Sequence, residues 1–399
     1  MKCRIIYLHR LEFTGSGQTI QVLRDYNSLA RLGHEVHVFY RAPRALPDAE
    51  LAQAAIRHGL TAETSLKFHC ISEGFSGKRR LFRAADALMV ESGLPIVIAV
   101  RTMDHARLAL ALRLRTHRQP VRVIIELHES AFPHMVYRER GRRVRAWFSR
   151  RSERHVLREV DGIVATVGSQ LALLDEIFPE HASVAVLPNG VNIEAFRNVV
   201  KAEREKSGDY FRLRYVGQFP GWRNTDLMLA SLQHLPPQTV LDIAGGKIGS
   251  DDKTRDALNT AAKRLGVADH VNYVGSLHPR DVPAFLCNAD VLLLPLGDQV
   301  QARYFTCPMK LFDYAASGVP MVAVRQPTIL SLIQDEVHAL LVEPGSPEEM
   351  ARAIRRLQED PALASRLAGN ARVWVEQYTY ERRAVRHQRF ITQIMAHKS

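Results

Sequence analysis

The sequence predicts an α/β protein made of two Rossmann-like, doubly wound domains. Two observations carry that prediction. Strand-sized apolar runs alternate with helical stretches twice along the chain, once before and once after a turn at Pro188-Asn189-Gly190, the pattern of parallel sheets covered by helices on both faces. The length, 399 residues, exceeds what one ordinary core takes, so two domains near the common size follow. The divisions fall at 1–187, 188–375 and a helical tail over 376–399.

The elements are justified in order. An apolar run over 3–8 is a first strand, and Phe13-Thr14-Gly15-Ser16-Gly17-Gln18 is a glycine loop. Ile20, Leu23, Tyr26, Leu29 and Leu32 then share one helical stripe that stops at Gly33, and 36–40 is the next strand. This βαβ opening puts Gly15, Ser16 and Gly17 at the crevice end of the sheet. The spacing is not G-x-G-x-x-G, and Arg41 stands where a dinucleotide site wants an acid, so NAD is not expected. Further strands are predicted over 96–100, 121–127, 162–166 and 183–187. The second series is 213–216, 240–244, 271–274, 291–295, 321–324 and 340–342. Residues 201–209 form a polar loop, and the tail is one or two helices broken near Tyr378-Thr379-Tyr380.

Composition narrows the class. Hydrophobic content of 46% and charged content of 24% suit a soluble globular enzyme. Cys3, Cys70, Cys287 and Cys307 are scattered without C-x-x-C spacing, which argues against zinc and against a disulfide framework. No apolar run reaches bilayer length, and the N-terminus goes straight into a strand, so the cytoplasm is the expected compartment. Net charge is +12, with 28 Lys and Arg against 19 Asp and Glu over 1–186 and 26 against 23 thereafter. A basic first half suits an anionic partner: a membrane surface, a nucleic acid or a phosphorylated substrate. Residues 137–159 pack nine arginines around Val144, Trp147 and Phe148. They form either a solvated helix face or, with the two aromatics, an anchor for an anionic membrane.

The most informative stretch runs from Thr306 to Val324, TCPMKLFDYAASGVPMVAV. Pro308 suits the first turn of a helix, Met309, Leu311, Phe312, Ala315 and Ala316 recur near the helical period, and Gly318 ends it. The helix front is an anion site by its dipole and N–H groups; Lys310 adds a charge there, and Asp313 adds a carboxylate one turn on. A cation for phosphate and an acceptor for sugar hydroxyls suit a nucleotide diphosphate. A packed surface helix with an incidental ion pair is the other reading.

Four ordered segments, TGSGQ with LARLGHEVHVF, VDGIVATVGSQ with VAVLPNGVNIEAF, LRYVGQFPGWRN, and ADVLLLPL with CPMKLFDYAASGVPMVAV, resemble the GT-B glycosyltransferases of the retaining, family 4 kind. The resemblance spans residues 1 to about 380. It implies two Rossmann-like domains facing across a cleft, acceptor on the first and nucleotide sugar on the second, with the tail helix crossing back to the first. After the strand ending at Val216, the family has a glycine, an arginine and, further on, a lysine that grip the diphosphate. Here Gly217 is present, Gln218 stands at the arginine position and Arg223 near the lysine position, so Arg223 and Lys310 are the implied cations. The second glutamate of the family's pair falls at Asp313 and the first at Phe305, which cannot accept from a sugar. Backbone around Thr306 and Cys307, or Gln299 and Arg303, would take that role. Met309 and Leu311 complete the helix front, and Leu277 follows a strand where the family reads the base. The family often has a histidine against the reacting sugar at the position of His128, which ends a strand beside Glu129.

The activity so implied is metal-free, cofactor-free transfer of a sugar from a nucleotide diphosphate, a UDP-sugar before others, to an acceptor hydroxyl with retained configuration. A sugar or a membrane lipid would carry the acceptor in polysaccharide or glycolipid synthesis; no nucleic acid is expected. A hydrolysing nucleotide-sugar 2-epimerase, a silent polyanion-binding protein and a phosphorylase of the same fold stay as alternatives.

Overall fold

A computed structural model of the chain describes residues 1–12, 17–42, 46–47, 50, 53, 56, 66–72, 77–115, 118–128, 143–197, 199, 210–217, 224–246 and 251–396. It divides into two compact units. Unit 1 comprises Met1–Asn189, Tyr304–Thr306 and Tyr380–Ser399; unit 2 comprises Gly190–Arg303 and Cys307–Thr379.

Unit 1 holds a seven-stranded parallel sheet. Its strands are β1 (Arg4–Leu11), β2 (Glu35–Ala42), β3 (Leu66–Ser72), β4 (Ile96–Val100), β5 (Val121–Leu127), β6 (Gly162–Ala165) and β7 (Val184–Val186). The order is β3-β2-β1-β4-β5-β6-β7, so the strand order reverses beside β1, where doubly wound sheets open a crevice. The inner strands are near-continuous apolar runs because both faces are covered: every residue of β4 is buried. β3 is absent from the sequence reading. It is an edge strand, and its Lys67 and His69 alternate with Leu66, Phe68 and Cys70, so no continuous apolar run marks it.

The chain's last helix, Tyr380–Ala396, belongs to unit 1. Phe390, Ile391 and Ile394 enter the core with Ile124, Val164 and Leu187. Gly162 at the start of β6 permits this close approach, since a Cβ there would sit 2.8 Å from Phe390 Cζ. A short 3-10 turn, Glu376–Tyr378, separates this helix from the preceding one, Pro361–Val375.

Unit 2 holds a six-stranded parallel sheet in the order β10-β9-β8-β11-β12-β13. The strands are β8 (Phe211–Val216), β9 (Thr239–Ala244), β10 (Val271–Gly275), β11 (Val291–Leu294), β12 (Met321–Val324) and β13 (Leu340–Val342). β11 and β12 are buried at every residue. Among the described residues no helix is long and apolar enough to cross a membrane.

Candidate functional site

In unit 2 the carboxyl ends of β8, β9 and β10 are joined through glycine backbone. Gly217 N donates to Ala244 O at 2.9 Å, Gly246 N to Gly217 O at 3.1 Å, and Gly245 N to Gly275 O at 2.8 Å. A Cβ at Gly245 would meet Gly217 O at 2.3 Å, and Gly245 has φ +113°. Only glycine fits there, because the Gly217 backbone occupies the space of a side chain. The expected site residue Gly217 is thus packed against Gly245 and bonded to Gly246, which sequence reading passed over. The signal was a Gly-Gly pair directly after a strand.

Beyond the glycines, the Asp251 carboxylate accepts from Ser276 Oγ at 2.7 Å and lies 2.9 Å from the Tyr273 hydroxyl. That hydroxyl also lies 2.6 Å from Gly245 O. The Ser276 and Tyr273 hydrogen bonds hold the Asp251 carboxyl below its usual range. Burial, then Asp251, pushes the Tyr273 phenol up. Leu277 follows Ser276 and is half-buried.

The helix from the informative stretch is Met309–Ser317. Pro308 is its N-cap residue rather than part of its first turn; its carbonyl takes the first bond, from Leu311 N at 3.0 Å. Gly318 closes the helix with φ +68°. Leu311 and Phe312 are buried, whereas Met309, Lys310 and Asp313 are half-buried. Two contacts dock this helix on β8. The Lys310 ammonium lies 5.2 Å from the centre of the Tyr215 ring, and the Tyr314 hydroxyl accepts from Val216 N at 3.4 Å. Behind it, Phe312 stacks on Trp374 at 5.6 Å and meets Tyr378 edge-on at 5.3 Å. The positive end of the helix and a lysine thus stand at the end of β8, with a carboxylate one turn along.

Phe305 is buried to 2% exposure. Its carbonyl accepts from Gln170 Nε2 at 3.4 Å, and Tyr304 O accepts from Ser169 Oγ at 3.3 Å. A phenylalanine in this core position has no polar group for a sugar. Arg303 N donates to Gln299 O at 3.0 Å, and Arg303 Nη1 lies 3.6 Å from Asp298 Oδ1.

In unit 1, β5 ends at Leu127 and His128 follows, with 23% of its side chain exposed. His128 Nε2 lies 2.5 Å from Glu126 Oε1. The other Glu126 oxygen accepts from Arg383 Nη2 at 2.9 Å, and Arg383 Nη1 pairs with Asp25 at 2.8 Å. Arg383 Nε donates to Pro188 O at 3.0 Å. On the β4 side, Arg101 lies 3.9 Å from Glu126 Oε1 and donates to Gln21 Oε1 at 3.4 Å. Gln21 Nε2 in turn donates to Glu126 Oε1 at 3.3 Å. Burial would raise the Glu126 carboxyl, but Arg383 first, then His128 and Arg101, hold it well below the usual range. Burial and then Arg101 push His128 down to about 4, with Glu126 opposing them. Sequence reading named His128 but assigned nothing to Asp25, Arg101, Glu126 or Arg383. Glu126 directly after the apolar run 123–125 was the available signal.

Gly17 opens helix Gly17–Arg31. Gly15, Ser16, Glu129, Gln218 and Arg223 lie outside the described residues, as do 137–142 of the basic stretch. The remainder of that stretch is helix Arg143–Glu159, on which Trp147 and Phe148 are 56% and 61% exposed. Among the described residues no three His, Cys, Asp or Glu side chains group as a metal site.

Comparison with known proteins places these units in a family. The model for glycosyltransferase family 4 matches residues 15–195, and the model for glycosyl transferases group 1 matches residues 196–374. A D-inositol 3-phosphate glycosyltransferase of Streptomyces bingchenggensis is 25% identical over 213 residues, 50% of this chain and 46% of that protein. The chain thus spans about half the length of that relative. A glycogen synthase of Mycobacterium tuberculosis is 25% identical over 374 residues, 86% of this chain and 83% of that protein. Among solved structures, sucrose-phosphate synthase from Thermosynechococcus elongatus has a TM-score of 0.78 at 19% identity, over 99% of both chains. HepE of Anabaena in complex with UDP-glucose has a TM-score of 0.73 at 14% identity, over 98% of this chain and 100% of that one. At such identities the structural likeness shows the fold.

Proposed function

The chain belongs to the GT-B glycosyltransferases of the group 1 and family 4 kind, and from that premise we propose that it moves a sugar from a UDP-sugar to an acceptor hydroxyl with retained configuration. The observation that carries this reading is Lys310, seated over Tyr215 at the positive end of its helix. The developing charge of a nucleotide diphosphate leaving group calls for such preorganised donors, and they supply it without a metal. Asp313 accepts from ribose hydroxyls, and Arg223 adds the second cation. HepE, whose structure holds UDP-glucose, supports uridine as the base.

Unit 1 takes the acceptor, and His128 lies against the reacting sugar. In the transfer, the anomeric carbon loses its bond to the phosphate oxygen and gains one to the acceptor oxygen on the same face. The acceptor proton leaves with the departing phosphate. The exposed Trp147 and Phe148 among Arg150, Arg151, Arg154 and Arg158 suit an acceptor carried on an anionic membrane.

The test is a thermal-shift panel of nucleotide diphosphates and nucleotide sugars, followed by UDP-release assays in EDTA with and without added acceptors. UDP or a UDP-sugar at about a hundred times its Kd adds roughly 2.7 kcal/mol, and acceptor-dependent UDP release persists in EDTA. UDP release that needs no acceptor favours the epimerase. Absence of any nucleotide response favours a polyanion-binding protein.

A further inference from the structure

We infer that Asp251 is a positioning residue for the nucleotide base: it holds the backbone of Ser276 and Leu277 against the ends of β8 and β9, and so sets base selectivity. The inference rests on the proposed UDP-sugar donor, with Leu277 toward its base. In the order β10-β9-β8-β11-β12-β13 the strand order reverses beside β8, so a ligand of unit 2 lies off the carboxyl ends of these strands. Leu277 is half-buried just past the end of β10 at Gly275. Among the described residues, none pairs with its backbone N–H or C=O. A donor and an acceptor on one residue match the O4 and N3–H that uracil offers side by side. Cytosine presents a donor at that first position and an acceptor at the second. A backbone free to turn accepts either order; one that is held accepts only one.

Asp251 does the holding. Ser276 Oγ donates to its Oδ1 at 2.7 Å, and the Tyr273 hydroxyl lies 2.9 Å from the same oxygen and 2.6 Å from Gly245 O. Gly245 N donates back to Gly275 O at 2.8 Å. One carboxylate therefore ties the end of β9 to the end of β10. Asp251 opens helix Asp251–Arg264, and two more of its side chains brace the junction. A Cβ on Gly246, which has φ +114°, would lie 2.9 Å from Thr254 Oγ1 and 3.1 Å from the Tyr273 hydroxyl. The Arg255 guanidinium lies 5.7 Å from the centre of the Tyr273 ring. Gly246 N donates to Gly217 O at 3.1 Å, which carries the frame on to β8 and to Tyr215 under Lys310. The segment for the base and the cation for the diphosphate thus share one backbone frame. An acid at a helix start already complements the helix dipole without partners. Two hydroxyls brought to it from the next strand end serve the strand end rather than the helix.

The experiment measures binding of UDP, CDP and inorganic pyrophosphate to the full chain by calorimetry, with Tm recorded for each variant. Wild type is predicted to prefer UDP to CDP. Asp251→Ala and Ser276→Ala should each narrow that ratio by about 3- to 10-fold, the scale of one neutral hydrogen bond. Pyrophosphate binding should stay within about twofold, since it does not reach the base segment. The double variant should narrow the ratio no further than either single one, because both act through one contact. Asp251→Asn keeps an acceptor oxygen and should retain most of the selectivity. Ser276→Ala leaves the helix start intact and carries the test where Asp251→Ala does not fold. An unchanged ratio, equal weakening of all three ligands, or additive effects of the two substitutions overturn the inference and leave UDP-sugar transfer standing. Wild type that binds none of the three overturns the proposed function, and the inference falls with it.

Discussion

The Lys310 ammonium lies over the Tyr215 ring, 5.2 Å from its centre, and Tyr215 is buried to 1% exposure. A ring fixed in the core therefore aims a flexible cation at the end of β8. Such cation–π contacts contribute about 0.5–2 kcal/mol according to their desolvation. Tyr215→Leu keeps the apolar packing and removes the ring face. Calorimetry should show UDP binding weakened by about 2- to 30-fold, with uridine binding unchanged. Equal weakening of both would mean that the ring acts on the nucleoside rather than through Lys310.

Asp313 sits one turn after Lys310 on the same helix. If it accepts from ribose hydroxyls, Asp313→Asn loses a charge-assisted hydrogen bond worth roughly 1.5–3 kcal/mol. The Kd for UDP should rise by about 10- to 100-fold. An unchanged Kd removes Asp313 from the site.

Helix Arg143–Glu159 exposes Trp147 and Phe148 edge to face, with ring centres 4.9 Å apart. Arg154 pairs with Glu180 at 2.7 Å and Arg158 with Glu159 at 3.3 Å, so charge reversal at Arg150 and Arg151 leaves these two ion pairs in place. Each basic residue near an anionic leaflet is worth about 1 kcal/mol. Wild type should co-sediment with phosphatidylglycerol vesicles at low salt and release at high salt. Arg150→Glu with Arg151→Glu should weaken that binding about tenfold or more. Wild type that ignores these vesicles at low salt points to a soluble acceptor.

Acid should destabilise the chain. Burial, then Arg383, pushes His387 down to about 3. Burial, then His69, pushes His37 down to about 4, and His128 falls to about 4 by burial and Arg101. An unfolded histidine titrates near 6.5. Between about 6.5 and these values the unfolded chain binds protons that the native chain refuses. The stabilisation is complete above about 6.5 and is lost as pH falls toward 3 to 4. Asp25, pushed up to about 7 by burial, works in the opposite sense over part of that window, one group against three. Tm should fall between pH 7.5 and pH 5, and His387→Leu should flatten the fall. A Tm that rises toward pH 5 would contradict the assignment of these imidazoles as neutral.

The sequence disclosed most where a local pattern is enough. β4, β12 and β13 are found where their apolar runs placed them, because strands covered on both faces leave an unbroken apolar record. β3, half-covered at an edge, leaves none. The front of helix Met309–Ser317 was legible through Pro308, Lys310, Asp313 and Gly318, all within one short stretch. The glycine junction was not, since Gly245 matters only because β8 brings Gly217 O to within 2.3 Å of where its Cβ would be. Nor was the buried cluster. Asp25, Arg101, Glu126 and Arg383 come from four distant segments, and nothing in any one segment names its partners.

The most direct test of the account is UDP release from UDP-sugars by wild type and Lys310→Ala side by side, at matched saturation with donor and acceptor. One charged donor to the leaving group should be worth about 10²-fold or more in kcat, and UMP binding should suffer less than UDP binding. The account predicts turnover of a UDP-sugar by wild type and a loss of that size in the variant. Turnover that survives Lys310→Ala unchanged would contradict it.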